Sequence, residues 1–452
     1  MSNKLIAVKK YEKRNHETPE MRAWAMSGIH WHLIALFALT MSGWGMPPEP
    51  HGAPIERTSD NFRFSVEDAG ILFDDGLMHK FDVWSVDAPM PVQRMGKNDA
   101  WIYISHPAHP HRKKVDGPHA WVSRVRCAMT DGGPVLDVSD YEAIESRGIP
   151  NAGPERNGWI GWMMHRYDIN PRESLAVFHY EDQHADMRMA RFRLGVAYSA
   201  DGGKSYDHLG FAISTWCPDP TEEILKKPLG GHVNISGTGV RVDDDYIYYY
   251  FLDSSRQSAL EDKDPEAAHL AVARAPKKLL IENARRGKNT EWHKYHENEW
   301  KEPGLGGRSA CLGKMTEYHT SLMYNSHINK WITFNVDTKN RTVCMRRSSD
   351  PLDFNVPDEP VFSFGRKNEV AYTSFHSLEP DFASCGKEFY IYFRNHGTDD
   401  ATGKAFYHIK KLKIVFEGRP TRRAMTTPTS RSVSMPSRNY NLNPVIDVRP
   451  RW

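Results

Sequence analysis

The sequence predicts an all-β protein, a five-bladed β-propeller of four-stranded antiparallel blades around a central channel. Three observations predict it. A short aromatic strand recurs five times, each copy is flanked by a polar strand before it and an alternating strand after it, and helical periodicity is nearly absent. A β-sandwich is the alternative, but a sandwich does not require five similar units.

Each repeat centres on a run of aromatic and β-branched residues, which is the composition of a buried strand. Most runs follow a turn signal, such as Asp243–Asp245 or Ser384–Lys387. The five runs are Trp101–Ser105, Ser174–Tyr180, Tyr246–Phe251, Lys330–Asn335 and Glu388–Phe393.

The flanking strands differ in character from the aromatic runs. The strand after each run alternates apolar and polar residues, as a half-exposed strand does. These strands are Ser123–Met129, Leu194–Ser199, His269–Arg274, Thr342–Arg347 and Tyr407–Ile414. The strand before each run carries small and polar residues, which suit the innermost strand beside a propeller channel. These strands are Met78–Val86, Gly158–Tyr167, Val233–Val242, Tyr318–Tyr324 and Tyr372–Leu378.

Composition and spacing divide the 452 residues into three parts. Residues 1–55 form a leader and linker, 56–417 the propeller, and 418–452 a basic tail rich in Pro and Ser. Apolar residues make up 39% of the chain, enough for a real core. The net charge of +2, without a basic run in the propeller, gives no indication of nucleic-acid binding.

The leader has the pattern of a signal peptide. Lys9, Lys10, Lys13 and Arg14 precede the apolar stretch His32–Met41. That stretch is shorter than the roughly 20 residues of a stable membrane span. Export to the periplasm or the exterior is therefore the prediction, with a cytoplasmic protein and an ordinary helix as the alternative.

One hairpin carries a recognisable motif. Ser199–Tyr206 fits the Asp-box pattern S-x-D-x-G-x-[S/T]-aromatic of propeller hairpins. Gly202 and Gly203 permit a tight turn, and Asp201 can accept hydrogen bonds from turn amides. We interpret the motif as structural. Partial copies occur at Ala128–Gly133 and Ser348–Pro351.

Four segments give the chain a family resemblance, which extends over most of residues 60–416. They are Leu175–Glu181, Gly195–Ser205, Ala271–Ala275 and Trp300–Gly307. The chain resembles the five-bladed propeller glycoside hydrolases, the group of arabinanases, xylosidases, invertases and mannoside phosphorylases. The resemblance implies a carbohydrate substrate and a poly- or oligosaccharide hydrolase.

That resemblance also implies paired carboxylates in the channel. Glu181 ends the second aromatic strand, where burial would raise its pKa and suit it to general acid catalysis; a solvated strand-end residue is the alternative. Asp82 or Asp75 is the expected base, and Asp253 or Glu379 the third carboxylate. The chain departs from the family order, because Glu181 lies on the second blade.

Histidines and other polar residues of the inner strands are the expected substrate ligands. The set is His79, Trp84, His165, His179, Asn234, His319, His376 and Glu379. No cofactor or catalytic metal is expected, although converging histidines leave open a structural cation. The oligomeric state stays open.

Two other functions remain as alternatives. A sialidase-like enzyme would need three arginines in the channel, and the inner strands offer Arg166 and Arg241. A non-catalytic carbohydrate-binding propeller would need no carboxylate pair, since one fold hosts many functions.

Overall fold

Five sheets, antiparallel in most of their pairings, form the five blades of a β-propeller. The structure is a computed structural model. It describes residues 62–80, 85–106, 121–149, 159–182, 190–216, 233–255, 269–315, 319–337, 339–379, 384–399 and 402–418. The predicted leader 1–55 lies outside these residues, as does the tail beyond Gly418.

The strands are numbered in chain order, and β1 (Arg63–Asp74) belongs to the last blade. Blade 1 contains β2 (Val92–Gly96), β3 (Asp99–His106), β4 (Trp121–Thr130) and β5 (Gly133–Ala143). Blade 2 contains β7 (Trp159–Asp168), β8 (Ser174–Asp182), β9 (Arg191–Ser199) and β10 (Ser205–Ile213), with β6 (Glu145–Arg147) parallel to β10. Blade 3 contains β11 (Val233–Val242), β12 (Tyr246–Ser255), β13 (His269–Pro276), β14 (His293–His296) and β15 (Glu299–Pro303), with β16 (Gly313–Lys314) beside β13.

The last two blades follow the same order from the channel outwards. Blade 4 contains β17 (Leu322–Asn325), β18 (Lys330–Asp337), β19 (Thr342–Ser348) and β20 (Glu359–Ser363), with β22 (Ser384–Cys385) parallel to β17. Blade 5 contains β21 (Glu369–Ser377), β23 (Glu388–Thr398), β24 (Ala405–Glu417) and, at its outer edge, β1. Two short helices, Asp75–Lys80 and Lys277–Ala284, interrupt the strands.

The aromatic runs form the second strand of every blade, as predicted, and all five blades are present. The four predicted antiparallel strands are present in each blade, and three blades have additional strands. Blades 1 and 5 have four, blades 2 and 4 have five, and blade 3 has six. The additional strands are short: β6 pairs with β10, β15 with β14, β16 with β13 and β22 with β17.

The N-terminal strand closes the ring. β1 pairs antiparallel with β24 from Arg63↔Glu417 to Asp74↔His408. The outer strand of the last blade therefore comes from the start of the propeller sequence, which the repeat pattern did not predict. Phe64 is buried in this pairing and packs against Phe416 at a ring distance of 6.0 Å.

The predicted inner strand of the first blade, Met78–Val86, was wrong. Residues Asp75–Lys80 form a helix, and the Oδ1 atom of Asp74 caps it by accepting from the Leu77 amide over 2.9 Å. The inner strand is β2, about ten residues later, which pairs with β3.

Among the described residues, five large apolar clusters, one between each pair of adjacent blades, form most of the core, and a sixth, small cluster contains Ala88, Trp162 and Met164. Tyr103 packs with Phe178 between blades 1 and 2, Val196 with Phe251 between blades 2 and 3, and Tyr250 with Leu322 between blades 3 and 4. Phe334 with Phe375 and Tyr392 with Ile104 complete the ring. Because the ring closes on itself, the inner strands converge on one axis.

Among the described residues, no helix has the length and apolar character needed to cross a membrane.

Candidate active site

Residues from non-adjacent blades meet at the axis of the propeller. The imidazole rings of His179 in blade 2 and His319, just before β17 in blade 4, lie 4.8 Å apart. Blade 3 separates these two blades along the chain and around the ring. A direct contact between them is therefore possible only near the axis, which locates the site.

Blade 2 contributes a histidine and a carboxylate from one face of β8. His179 and Glu181 are two residues apart, so their side chains leave the strand on the same side. A hydrogen bond joins His179 Nε2 and Glu181 Oε1 over 3.2 Å. His179 is fully buried and stacks on Phe192, while 21% of the Glu181 side chain is exposed.

Blade 1 contributes Asp87, which the sequence analysis missed. It lies in the irregular segment before β2, where its backbone amide donates to the Ser105 carbonyl over 3.1 Å. Arg394 Nη1 donates to Asp87 Oδ1 over 2.9 Å. The Asp-Ala-Pro sequence at 87–89, directly before the inner strand, was the available signal, and the misplaced first strand hid it.

The pKa of the Asp87 carboxyl is raised above its ordinary value of 3.8. Burial is the largest cause, the Arg394 guanidinium opposes it, and the negative charge of Glu181 raises the pKa further.

Blade 5 contributes Arg394 and Tyr372. Arg394 is buried, its guanidinium carbon lies 4.4 Å from the centre of the Tyr372 ring, and it also donates to Glu369. Tyr372 has φ 65°, in the left-handed region, within a bulge of β21 between Ala371 and Ser374. Such strain in a non-glycine residue persists only where the surroundings impose it, and it often marks functional sites.

His319 completes the group, here named the channel cluster: Asp87, His179, Glu181, His319, Tyr372 and Arg394. The ring of His319 lies 5.5 Å from the ring of Tyr372. Burial, together with the charges of His179 and Arg394, lowers the pKa of His319 well below its usual range. His319 is therefore neutral at pH 7 and can exchange hydrogen bonds with a neutral ligand.

The cluster unites three of the residues singled out in the sequence, Glu181, His179 and His319. The three other predicted carboxylates that the structure describes lie elsewhere. Asp253, buried at the end of β12, accepts from Ser309 Oγ over 2.8 Å. Asp75 is exposed at the start of its helix and accepts from the Tyr407 amide over 3.2 Å. The carboxylate of Glu379 packs against Gly386.

The two other predicted histidines with described side chains, His165 and His376, also lie outside the channel cluster. His165 is half-buried on β7, where burial lowers its pKa to about 4. His376 is buried near the end of β21 and shares a hydrogen bond of 2.6 Å with the Tyr392 hydroxyl. Asp82 and Trp84 lie outside the described residues, as do the side chains of His79 and Asn234. The proposed roles of these residues stay predictions.

The arginines that a sialidase-like site would need have other partners. Arg166 is buried beside Tyr103, to whose hydroxyl it donates over 2.9 Å, and Asp168. Arg241 lies over Tyr248 at 4.4 Å, between blades 3 and 4. Among the described residues, Arg394 is the only arginine in the channel cluster. No group of three or more His, Cys, Asp or Glu side chains suited to a metal ion occurs in the described part of the chain.

No family model matches the sequence, and no curated protein matches it. The fold is similar to a provisionally described hydrolase from Bacteroides ovatus (TM-score 0.43, 11% identity, 83% of this chain and 97% of that one). It is also similar to the catalytic domain of a GH62 α-L-arabinofuranosidase from Coprinopsis cinerea (0.40, 10%, 78% and 97%). A third similar structure is a GH43_1 enzyme from Xanthomonas citri in complex with xylotriose (0.38, 12%, 76% and 88%). At these identities and scores the likenesses assign no family, and the fold rests on the strand pairing.

Proposed function

We propose that this protein is a glycoside hydrolase that cleaves a poly- or oligosaccharide with Asp87 and Glu181 as its carboxylate pair. The observation that carries the proposal is that carboxyl groups from two different blades, Asp87 bound by Arg394 and Glu181 bound by His179, belong to one connected cluster of side chains at the axis. Two carboxyl groups that flank one bond are what glycosidic hydrolysis requires.

We assign Asp87 the role of base or nucleophile. Its hydrogen-bond partner Arg394 carries a permanent charge, which favours the ionised carboxylate. Burial raises the pKa of Asp87 against this attraction, so the carboxylate is more basic than that of an ordinary aspartate. A more basic carboxylate accepts a proton from water more readily.

We assign Glu181 the role of proton donor to the leaving oxygen. It is partly exposed toward the channel, and its partner His179 carries no permanent charge. In the hydrolysis, the C–O bond at the anomeric carbon breaks and the Glu181 proton goes to the leaving oxygen. Water supplies the hydroxyl of the new reducing end, and its other proton restores the donor after turnover.

The first test is a search for hydrolysis of polysaccharides and aryl glycosides by the purified protein. We expect release of reducing sugar or aglycone from at least one substrate. The double variant Asp87→Asn/Glu181→Gln should lose that activity, whereas Asp131→Asn/Glu67→Gln, which changes two exposed carboxylates, should retain it. Hydrolysis by the first double variant at the wild-type rate would contradict the proposal, as would an absence of hydrolysis across the panel.

A further inference from the structure

A second cleft lies between blades 5 and 1, at the other ends of the strands that form the channel cluster. Its volume is about 190 Å³. It is lined by the end of β21 and by the β2–β3 hairpin, including His376, Leu378, Arg94, Lys97 and Asn98. Tyr372 and His376 are four positions apart on β21, so at ~3.3 Å per residue their backbones are about 13 Å apart. The cleft is therefore distinct from the candidate active site.

Arg94 gives this cleft a positive charge. Its guanidinium donates to backbone carbonyls only: to Gly96 over 2.7 Å, to Lys97 over 2.8 Å, to Leu378 over 3.2 Å and to Glu379. These backbone carbonyls hold the Arg94 guanidinium in place but do not neutralise its positive charge. Within the described residues, no carboxylate forms an ion pair with Arg94 or with the exposed Lys97.

The nearby carboxylates do not cancel this charge. Asp99, which also lines the cleft, is bound by Arg126 through two hydrogen bonds of 2.8 and 2.5 Å. Glu379 turns its carboxylate to Gly386 and does not line the cleft. The cleft thus has two cations without carboxylate partners and one carboxylate that already has a partner, which favours an anionic ligand.

His376 adds a neutral donor. Burial and the Arg94 charge lower the pKa of His376 to about 4, while burial raises that of Tyr392 well above its usual range. The Tyr392 hydroxyl keeps its proton and can donate it to Nδ1 of His376, which lies 2.6 Å away. The hydrogen of the neutral ring is then on Nε2, so His376 can donate a further hydrogen bond.

We propose that this cleft binds a small organic carboxylate, with a sugar acid as the model ligand. Lys97 and Arg94 attract the carboxylate, while His376 and Asn98 can bind hydroxyl groups. Met129 and Leu378 line the cleft with apolar surface suited to a carbon skeleton. The volume is several times the ~30 Å³ of one water molecule, so there is room for more than a bare ion.

The test is isothermal titration calorimetry of the full chain with sodium glucuronate, glucose and inorganic phosphate. We expect glucuronate to bind at least tenfold more tightly than the other two. Lys97→Gln should weaken glucuronate binding about tenfold, as expected for one lost charge-assisted contact. Lys204→Gln, an exposed lysine of another hairpin, should leave it unchanged.

The Asp87→Asn variant separates this site from the channel, because it should bind glucuronate as the wild type does. Loss of binding in Asp87→Asn but not in Lys97→Gln would overturn the proposal by moving the ligand to the channel. Equal binding of glucose or of phosphate would overturn the assignment of an organic acid, and so would no binding at all. None of these outcomes depends on hydrolytic activity.

Discussion

At the residue scale, His179 is the hydrogen-bond partner of the proposed proton donor Glu181. Its ring is fixed by the stack on Phe192 and by the contact with His319, so its Nε2 atom has one orientation toward Glu181. The sequence analysis expected His179 to bind substrate. That role stays a prediction; from the hydrogen bond we propose in addition that His179 positions Glu181, the proton donor in our proposal.

The variant His179→Phe should keep the aromatic contacts and remove this hydrogen bond. We expect kcat to fall about tenfold with little change in KM, since one hydrogen bond contributes about 0.5–1.5 kcal/mol. His179→Gln keeps an N–H donor and should recover part of the loss. Measured kcat and KM that are equal in wild type and His179→Phe would show that His179 does not position Glu181.

At the scale of elements, the β9–β10 hairpin shows how a side chain sets a turn. Asp201 Oδ1 accepts from the amides of Lys204 and Ser205 over 3.0 and 3.1 Å, as the motif predicted. Burial acts to raise the pKa of Asp201, but hydrogen bonds from Ser205, Ser199 and Lys204 together outweigh it and hold the pKa at about 2.

Because this pKa is depressed from 3.8, the ionised Asp201 stabilises the fold at neutral pH. That stabilisation is complete above the unfolded-state pKa and is lost as the pH falls through about 2. We expect Asp201→Ala to lower the free energy of unfolding by about 1–2 kcal/mol at pH 7 and by less near pH 2, measured by urea denaturation.

The matched control is Asp131→Ala, in the similar hairpin of blade 1. Asp131 is exposed, and its carboxylate makes no hydrogen bond to the described residues. Its loss should change stability little at either pH. Equal destabilisation by the two variants, or a loss in Asp201→Ala that does not shrink at low pH, would refute the account of this turn.

Most elements were predictable because local composition determines them. Aromatic and β-branched runs between turn residues became the second strands, and β11 has the predicted bounds Val233–Val242. The first blade was misjudged because Asp74 caps a helix where strand residues were expected. The pairing of β1 with β24 joins residues 334 to 354 positions apart (408 − 74 and 417 − 63), a contact that no local pattern reports.

For the whole molecule, ring closure brings the residues of the channel cluster together. Asp87, Glu181, His319 and Arg394 come from blades 1, 2, 4 and 5 and meet only because the five cores fix the blades around one axis. Glu181 was predictable because it ends an apolar strand. The presence of Asp87 in the channel cluster was not predictable, because the first inner strand was misplaced. That of Arg394 was not predictable either, because an arginine on the second strand of a blade carries no local signal.

The most direct test of the central claim is kcat/KM for Glu181→Gln and Asp87→Asn on a substrate found in the panel. Each should reduce kcat/KM by about 10²–10⁴ for a natural linkage. On an aryl glycoside whose leaving group needs no proton, Glu181→Gln should recover most of its activity, whereas Asp87→Asn should not. Near-wild-type kcat/KM for the natural linkage in either variant would contradict the assignment of this carboxylate pair.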